Sequence, residues 1–126
     1  MRTFLLLFIL SLILHADHVR WQGDFEKARE EAIKEKKELM VFLMTPKCPE
    51  CMKMLRSTFM NQNYIADINR GYIAVLVTKD QKQSYPIELL YTLEYPAIFF
   101  LDTQEIYTKE VLFGYIKPET LEKHLK

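Results

Sequence analysis

Charge of one sign is the first thing this chain lacks: 17 basic residues stand against 17 acidic ones, for a formal net charge of zero. A broad basic surface that would neutralise phosphates has no support, so nucleic acid is not expected as a partner. Glycine and proline are scarce, at three and five in 126 residues. With no low-complexity tract and no repeat, neither a linker nor a second domain is expected. The three histidines show no spacing that pairs them with the cysteines. A zinc centre wants about four ligands, so none is expected, and no other cofactor is implied. Apolar runs of the ~20 residues that span a membrane are also missing. The longest, Phe4 to Leu14 broken only by Ser11, is about half that length.

Arg2 stands before this run and His15-Ala16 after it, which is the layout of a secretory signal peptide cut ahead of Asp17. The expected organisation is a signal peptide over residues 1–16 and one domain over residues 17–126, large enough to fold alone.

What is present centres on Thr45-Pro46-Lys47-Cys48-Pro49-Glu50-Cys51, which holds both cysteines of the chain. An apolar run precedes it and a segment of helical spacing follows. Two intervening residues let the sulfurs meet across the first turn of a helix. A sulfur at a helix N-terminus faces unpaired N–H groups and the positive end of the dipole, which favour a thiolate. Pro49 falls at the first helical position, where its missing N–H costs nothing. The stretch reads as a redox dithiol. Lys47 and Lys53 favour the Cys48 thiolate, and Glu50 opposes it.

Around it, Trp21 to Lys37 predicts a helix, with Phe25, Ala28, Ala32 and Ile33 on one face and Gly23 or Asp24 as its cap. Leu39 to Met44 lacks polar alternation and predicts a strand covered on both faces. Pro49 to Met60 predicts a helix with Met52, Leu55 and Phe59 on one side, and Tyr64 to Asn69 a short helical turn. Tyr72 to Thr78 and Ala97 to Leu101 predict two further buried strands. Pro86 could open a helix over Ile87 to Leu93. Ile106 to Phe113 suits an outer strand, and Pro118 starts a last helix with Leu121 and Leu125 on one face. Strands joined through a helix imply a parallel pair, and the late strands an antiparallel hairpin.

These features resemble the thioredoxin superfamily, and in particular its secreted bacterial members. The residues that carry the likeness are strand 39–44, Cys48-Pro49-Glu50-Cys51 opening a helix, Tyr95-Pro96 before a strand, the hairpin, Gly114 and the closing helix. The resemblance implies an α/β fold: a mixed sheet of about four strands flanked by helices. It implies that Cys48 is the exposed nucleophile and that Cys51 resolves the mixed disulfide. It also implies that Pro96 is a cis-proline beside the sulfurs. Tyr95, Pro96, Pro49 and Glu50 would line the substrate groove. The activity implied is thiol–disulfide exchange in the periplasm, by a monomer, with protein thiols or disulfides and a membrane electron-donor protein as partners. The chain also departs from the family: a buried Asp is replaced by Phe42, and the familiar Gly-Pro between the cysteines by Pro49-Glu50.

Two other readings stay open. Met40, Met44, Met52 and Met54 could add soft ligands to two thiolates, as in a copper(I) chaperone, although methionines of this kind are also ordinary core filler. A non-catalytic binding module with idle cysteines is the third. The direction of electron flow is open as well.

Overall fold

The computed structural model describes residues 17–80 and 84–126. The expected signal peptide, residues 1–16, lies outside the described residues. The elements in chain order are α1 (Phe25–Glu35), β1 (Glu38–Met44), α2 (Pro49–Arg56), a 3-10 turn (Thr58–Met60), α3 (Ile65–Gly71), β2 (Tyr72–Thr78), β3 (Ala97–Leu101), β4 (Leu112–Phe113) and α4 (Pro118–Leu125).

The strands form one mixed sheet in the order β2-β1-β3-β4. The central strand β1 pairs in parallel with β2, Glu38 opposite Tyr72, and antiparallel with β3, Leu43 opposite Ala97. Two-residue periodicity splits β1 between two cores. Met40 and Phe42 face α2, α3 and α4, where they meet Met54, Phe59, Ile68 and Leu121. Leu39, Val41 and Leu43 face α1, where they meet Phe25, Ala28 and Ala32. Burial on both faces is why this strand reads as an unbroken apolar run.

Several boundaries differ from expectation. Helix α1 starts at Phe25 rather than Trp21, because Asp24 caps it: the Asp24 carboxylate accepts from the Lys27 N–H at 3.0 Å. It stops at Glu35, where Lys36 turns left-handed at φ 56°. Trp21 and Gln22 lie alongside β2 instead, with Gln22 N–H donating to Ala74 O and Leu76 N–H to Gln22 O. Ile33 is 52 % exposed and not on the buried face. The expected helix 49–60 breaks at Ser57, whose hydroxyl donates to Lys53 O at 2.7 Å and whose backbone leaves helical angles. Its buried face is Cys51 and Met54; Met52 is 39 % exposed, while Phe59 is buried in the following turn.

No helix covers Ile87 to Leu93. Leu89 and Leu90 both donate to Pro86 O, making one turn, and Leu90 is the one apolar side chain of this segment that is fully buried. A segment with one apolar anchor gains too little from packing to extend a helix. The outer strand is likewise shorter than predicted. Only Leu112–Phe113 pairs with β3, and Tyr107 makes a single bridge to Leu101.

The start of the domain is tied down by side-chain amides. Gln62 accepts from the Asp17 N–H and donates to Asp17 O. Asn69 accepts from the Arg20 N–H and donates to His18 O. On the same side of the sheet, buried Tyr64 donates its hydroxyl to Thr58 O, and Thr58 donates to Ile116 O at 2.7 Å. Burial, with repulsion from Glu122 and Glu119 adding to it, pushes the Tyr64 phenol from 10.0 up to about 12. A raised folded-state value means that this contribution is complete below pH 10 and is lost as pH climbs to about 12. Urea midpoints measured across that window should fall more steeply in the wild type than in Tyr64→Phe. The variant starts lower, having given up the hydrogen bond to Thr58.

Candidate active site at the Cys48–Cys51 pair

The dithiol loop leaves the C-terminal end of β1. Lys47 adopts a left-handed backbone, φ 56°, which turns the chain back so that Cys48 becomes the N-cap of α2. Cys48 Sγ accepts from the Cys51 N–H at 3.1 Å, and Pro49 takes the first helical position. The two cysteines are joined, with Sγ–Sγ 2.05 Å and Cα–Cα 5.2 Å. Cys51 is fully buried. Cys48 is only 8 % exposed, so it is not the openly exposed thiol expected from sequence. Both are packed into the core face shared with Phe42 and Met54, and α2 holds Cys48 slightly nearer to solvent. Pro49 and Glu50 are exposed beside them.

Strand register places the rest of the site. One residue beyond the Leu43–Ala97 pair, the row across the end of the sheet runs Thr78, Met44, Pro96, Gly114. Gly114 N–H donates to Pro96 O at 2.8 Å. The Tyr95–Pro96 peptide bond is cis. Pro96 is buried, and half-buried Tyr95 packs against the cluster that contains both sulfurs. All six residues read as candidates from sequence therefore belong to one end of the fold. Cys48, Pro49, Glu50 and Cys51 come from the loop and helix after β1, and Tyr95 and Pro96 from the entry to β3.

Beneath the sulfurs the site is apolar. Phe42 is fully buried, with ring centroids 5.9 Å from Trp21 and 5.0 Å from Phe59. Trp21 meets Phe59 edge-on at 4.9 Å. Among the described residues the buried polar side chains are Thr58 and Thr92, so no buried carboxylate adjoins Cys51. Among them, too, no group of three or more His, Cys, Asp or Glu side chains could hold a metal ion. Met44 packs against the sulfur cluster and Met54 is buried within it.

Three further residues lie around this end of the fold. The Lys79 ammonium lies 5.6 Å from the Tyr95 ring centroid, and that of Lys53 lies 4.5 Å from the Tyr115 ring. Gly114 has φ 75°, and a Cβ there would come within 2.7 Å of the Glu94 carboxylate. Sequence reasoning points to Lys53, as a charge near Cys48, and to Gly114, through the family likeness, but not to Lys79, which is marked there only as the first charge after the apolar run of β2.

Comparison with known proteins agrees with this geometry. A thioredoxin from Thermus thermophilus superposes with a TM-score of 0.70 at 17% identity, covering 86% of this chain and 85% of its own. DsbH oxidoreductase gives 0.64 at 16%, covering 87% and 86%. A putative disulphide-isomerase from Bacteroides thetaiotaomicron gives 0.64 at 22%, covering 86% and 92%. Identities this low carry the fold alone. No curated protein matches the chain. A family model described as thioredoxin-like matches residues 20–103, a span that contains β1, the cysteine turn, β2, the Tyr95–Pro96 bond and β3. On that match, with the mixed sheet and the joined cysteines at the tip of α2, the chain belongs to the thioredoxin-like family.

Proposed function

We propose that this protein is a periplasmic thiol–disulfide oxidoreductase that works as a reductase or electron carrier. The observation that carries the reading is Cys48 as N-cap of α2, bonded to a buried Cys51 one turn on. In the reduced protein, the helix N-terminus favours the Cys48 thiolate. That thiolate attacks one sulfur of a partner disulfide. The partner's S–S bond breaks, its departing sulfur takes a proton, and a mixed disulfide forms. Cys51 then loses its proton and attacks Cys48, releasing the second partner thiol. The partner gains two electrons and two protons, and Cys48–Cys51 becomes the disulfide. With Phe42 where the family has an acid, the Cys51 proton passes to the departing partner sulfur or to water. A membrane dithiol donor would restore the reduced state. The oxidising compartment makes such a donor necessary.

The names of the superposed DsbH oxidoreductase and disulphide-isomerase support thiol-redox partners. The test is insulin reduction by dithiothreitol together with equilibration in glutathione buffers. The protein should speed insulin precipitation, and the Cys48–Cys51 pair should titrate between about −270 and −120 mV, the span of such dithiols. No acceleration and no reversible titration would reject the proposal. A copper(I) chaperone is the second reading, favoured by Met54 within, and Met44 against, the core cluster that contains both cysteines. It requires tight, thiol-dependent copper(I) binding by the reduced protein.

A further inference from the structure

The row of residues at the dithiol end of the sheet carries a charge at each extremity. On the β2 side, Lys79 follows Thr78 and donates its backbone N–H to Met44 O at 2.8 Å. Its ammonium is drawn over the Tyr95 ring, towards the middle of the row. On the β4 side, Thr92 donates its hydroxyl to Glu94 O and accepts from the Glu94 N–H, fixing that backbone. The Glu94 carboxylate lies against the bare Cα of Gly114. The three ion pairs among the described residues involve neither Lys79 nor Glu94. Met44 and Pro96 lie between the two, and the chain reaches Cys48 four residues after Met44.

Three strand spacings separate the backbone at the two ends of this row, roughly 14 Å at about 4.8 Å each, and the Lys79 side chain leans inward from its end over Tyr95. An extended peptide covers that distance in about four residues. Lys47 and Glu50 also flank the sulfurs with opposite signs, and Asp80 is an exposed neighbour of Lys79 in sequence; all three stay in place when Lys79 and Glu94 are exchanged, so a preference that they set would survive that exchange. Resting on the thiol–disulfide reading above, we propose that Lys79 and Glu94 set substrate polarity: the favoured partner segment carries an acidic side chain on the Lys79 side of its cysteine and a basic one on the Glu94 side, no more than about four residues apart.

The test uses two disulfide-linked peptides of identical composition. One has Glu two residues before the cysteine and Lys two after; the other has them exchanged. The wild-type reduced protein should prefer one of them in kcat/KM by about 3- to 10-fold, the return expected from two exposed ion pairs. The preference should shrink at ~0.5 M salt. The double variant Lys79→Glu/Glu94→Lys should invert it while leaving the potential of the dithiol unchanged. Equal rates for the two peptides, or a preference that survives the double exchange, would overturn the polarity assignment and leave thiol exchange standing. Failure of the wild type to exchange with either peptide would remove both.

Discussion

Cys48→Ser should abolish disulfide reduction, and Cys51→Ser should convert the protein into a trap. The two outcomes differ because α2 gives the sulfurs different surroundings. Cys48 caps the helix and, at 8 % exposed, is the cysteine nearer to a partner; Cys51 is fully buried. A serine hydroxyl at position 48 stays un-ionised at neutral pH with no adjacent base to activate it, so turnover should drop roughly a thousandfold or more. A serine at position 51 leaves the attacking thiolate intact but removes the group that releases the partner. Mixed disulfides through Cys48 should then accumulate and run as heavier, reductant-sensitive bands on a non-reducing gel. Full insulin-reducing activity in Cys48→Ser, or trapping through Cys51 instead, would contradict the assignment of roles.

The largest stability effect is expected at Phe42→Ala, at about 3–5 kcal/mol. The ring is fully buried and is the member of the Trp21–Phe42–Phe59 cluster that belongs to the central strand. Its removal leaves a cavity bounded by β1, the 3-10 turn and the N-terminal segment, and a paired central strand has little freedom to collapse into it. Domains of this size are stable by only about 5–15 kcal/mol, so the variant should be marginal. A urea titration checks this: the midpoint should fall with little change in slope. Phe42→Asp, which puts back the carboxylate that family members carry, should be worse still. Here that charge would lie between the Trp21 and Phe59 rings with no partner. A loss below about 1 kcal/mol for Phe42→Ala would mean that the cluster relaxes around the gap.

The contrast between these two positions shows what could be read from residues alone. The dithiol was legible because its chemistry is local: two cysteines, Pro49 between them and a strand before them. β2 and β3 were legible to the residue for a related reason, since an apolar run of strand length without alternation has few other uses. The failures have physical causes. Pro86 is as good at starting a single turn as a helix, and Leu90 is the one fully buried apolar side chain that could anchor a longer one. In α2, hydrophobic spacing counted Met52 as core and left Met54 out; the burial of Cys51 rotates the helix the other way. Trp21 lies four residues before Phe25 and so fits the helical spacing, but either cap that the sequence offers, Gly23 or Asp24, puts the first helical residue after it. The pairs Lys79–Tyr95 and Glu94–Gly114 join residues 16 and 20 positions apart, and no local periodicity encodes such contacts.

The segment that Gln62 and Asn69 hold in place has an effect on the company the protein keeps. β2 is a seven-residue, β-branched, nearly uncharged strand at the margin of the sheet, the profile of a segment prone to stack on copies of itself. Gln22 occupies part of that margin with its own backbone, and at the far side β4 is only two residues long. Both borders are thus poor templates for a neighbouring chain. That protection suits the exchange proposed above, since a disulfide-bearing partner meets no open border long enough to pair with.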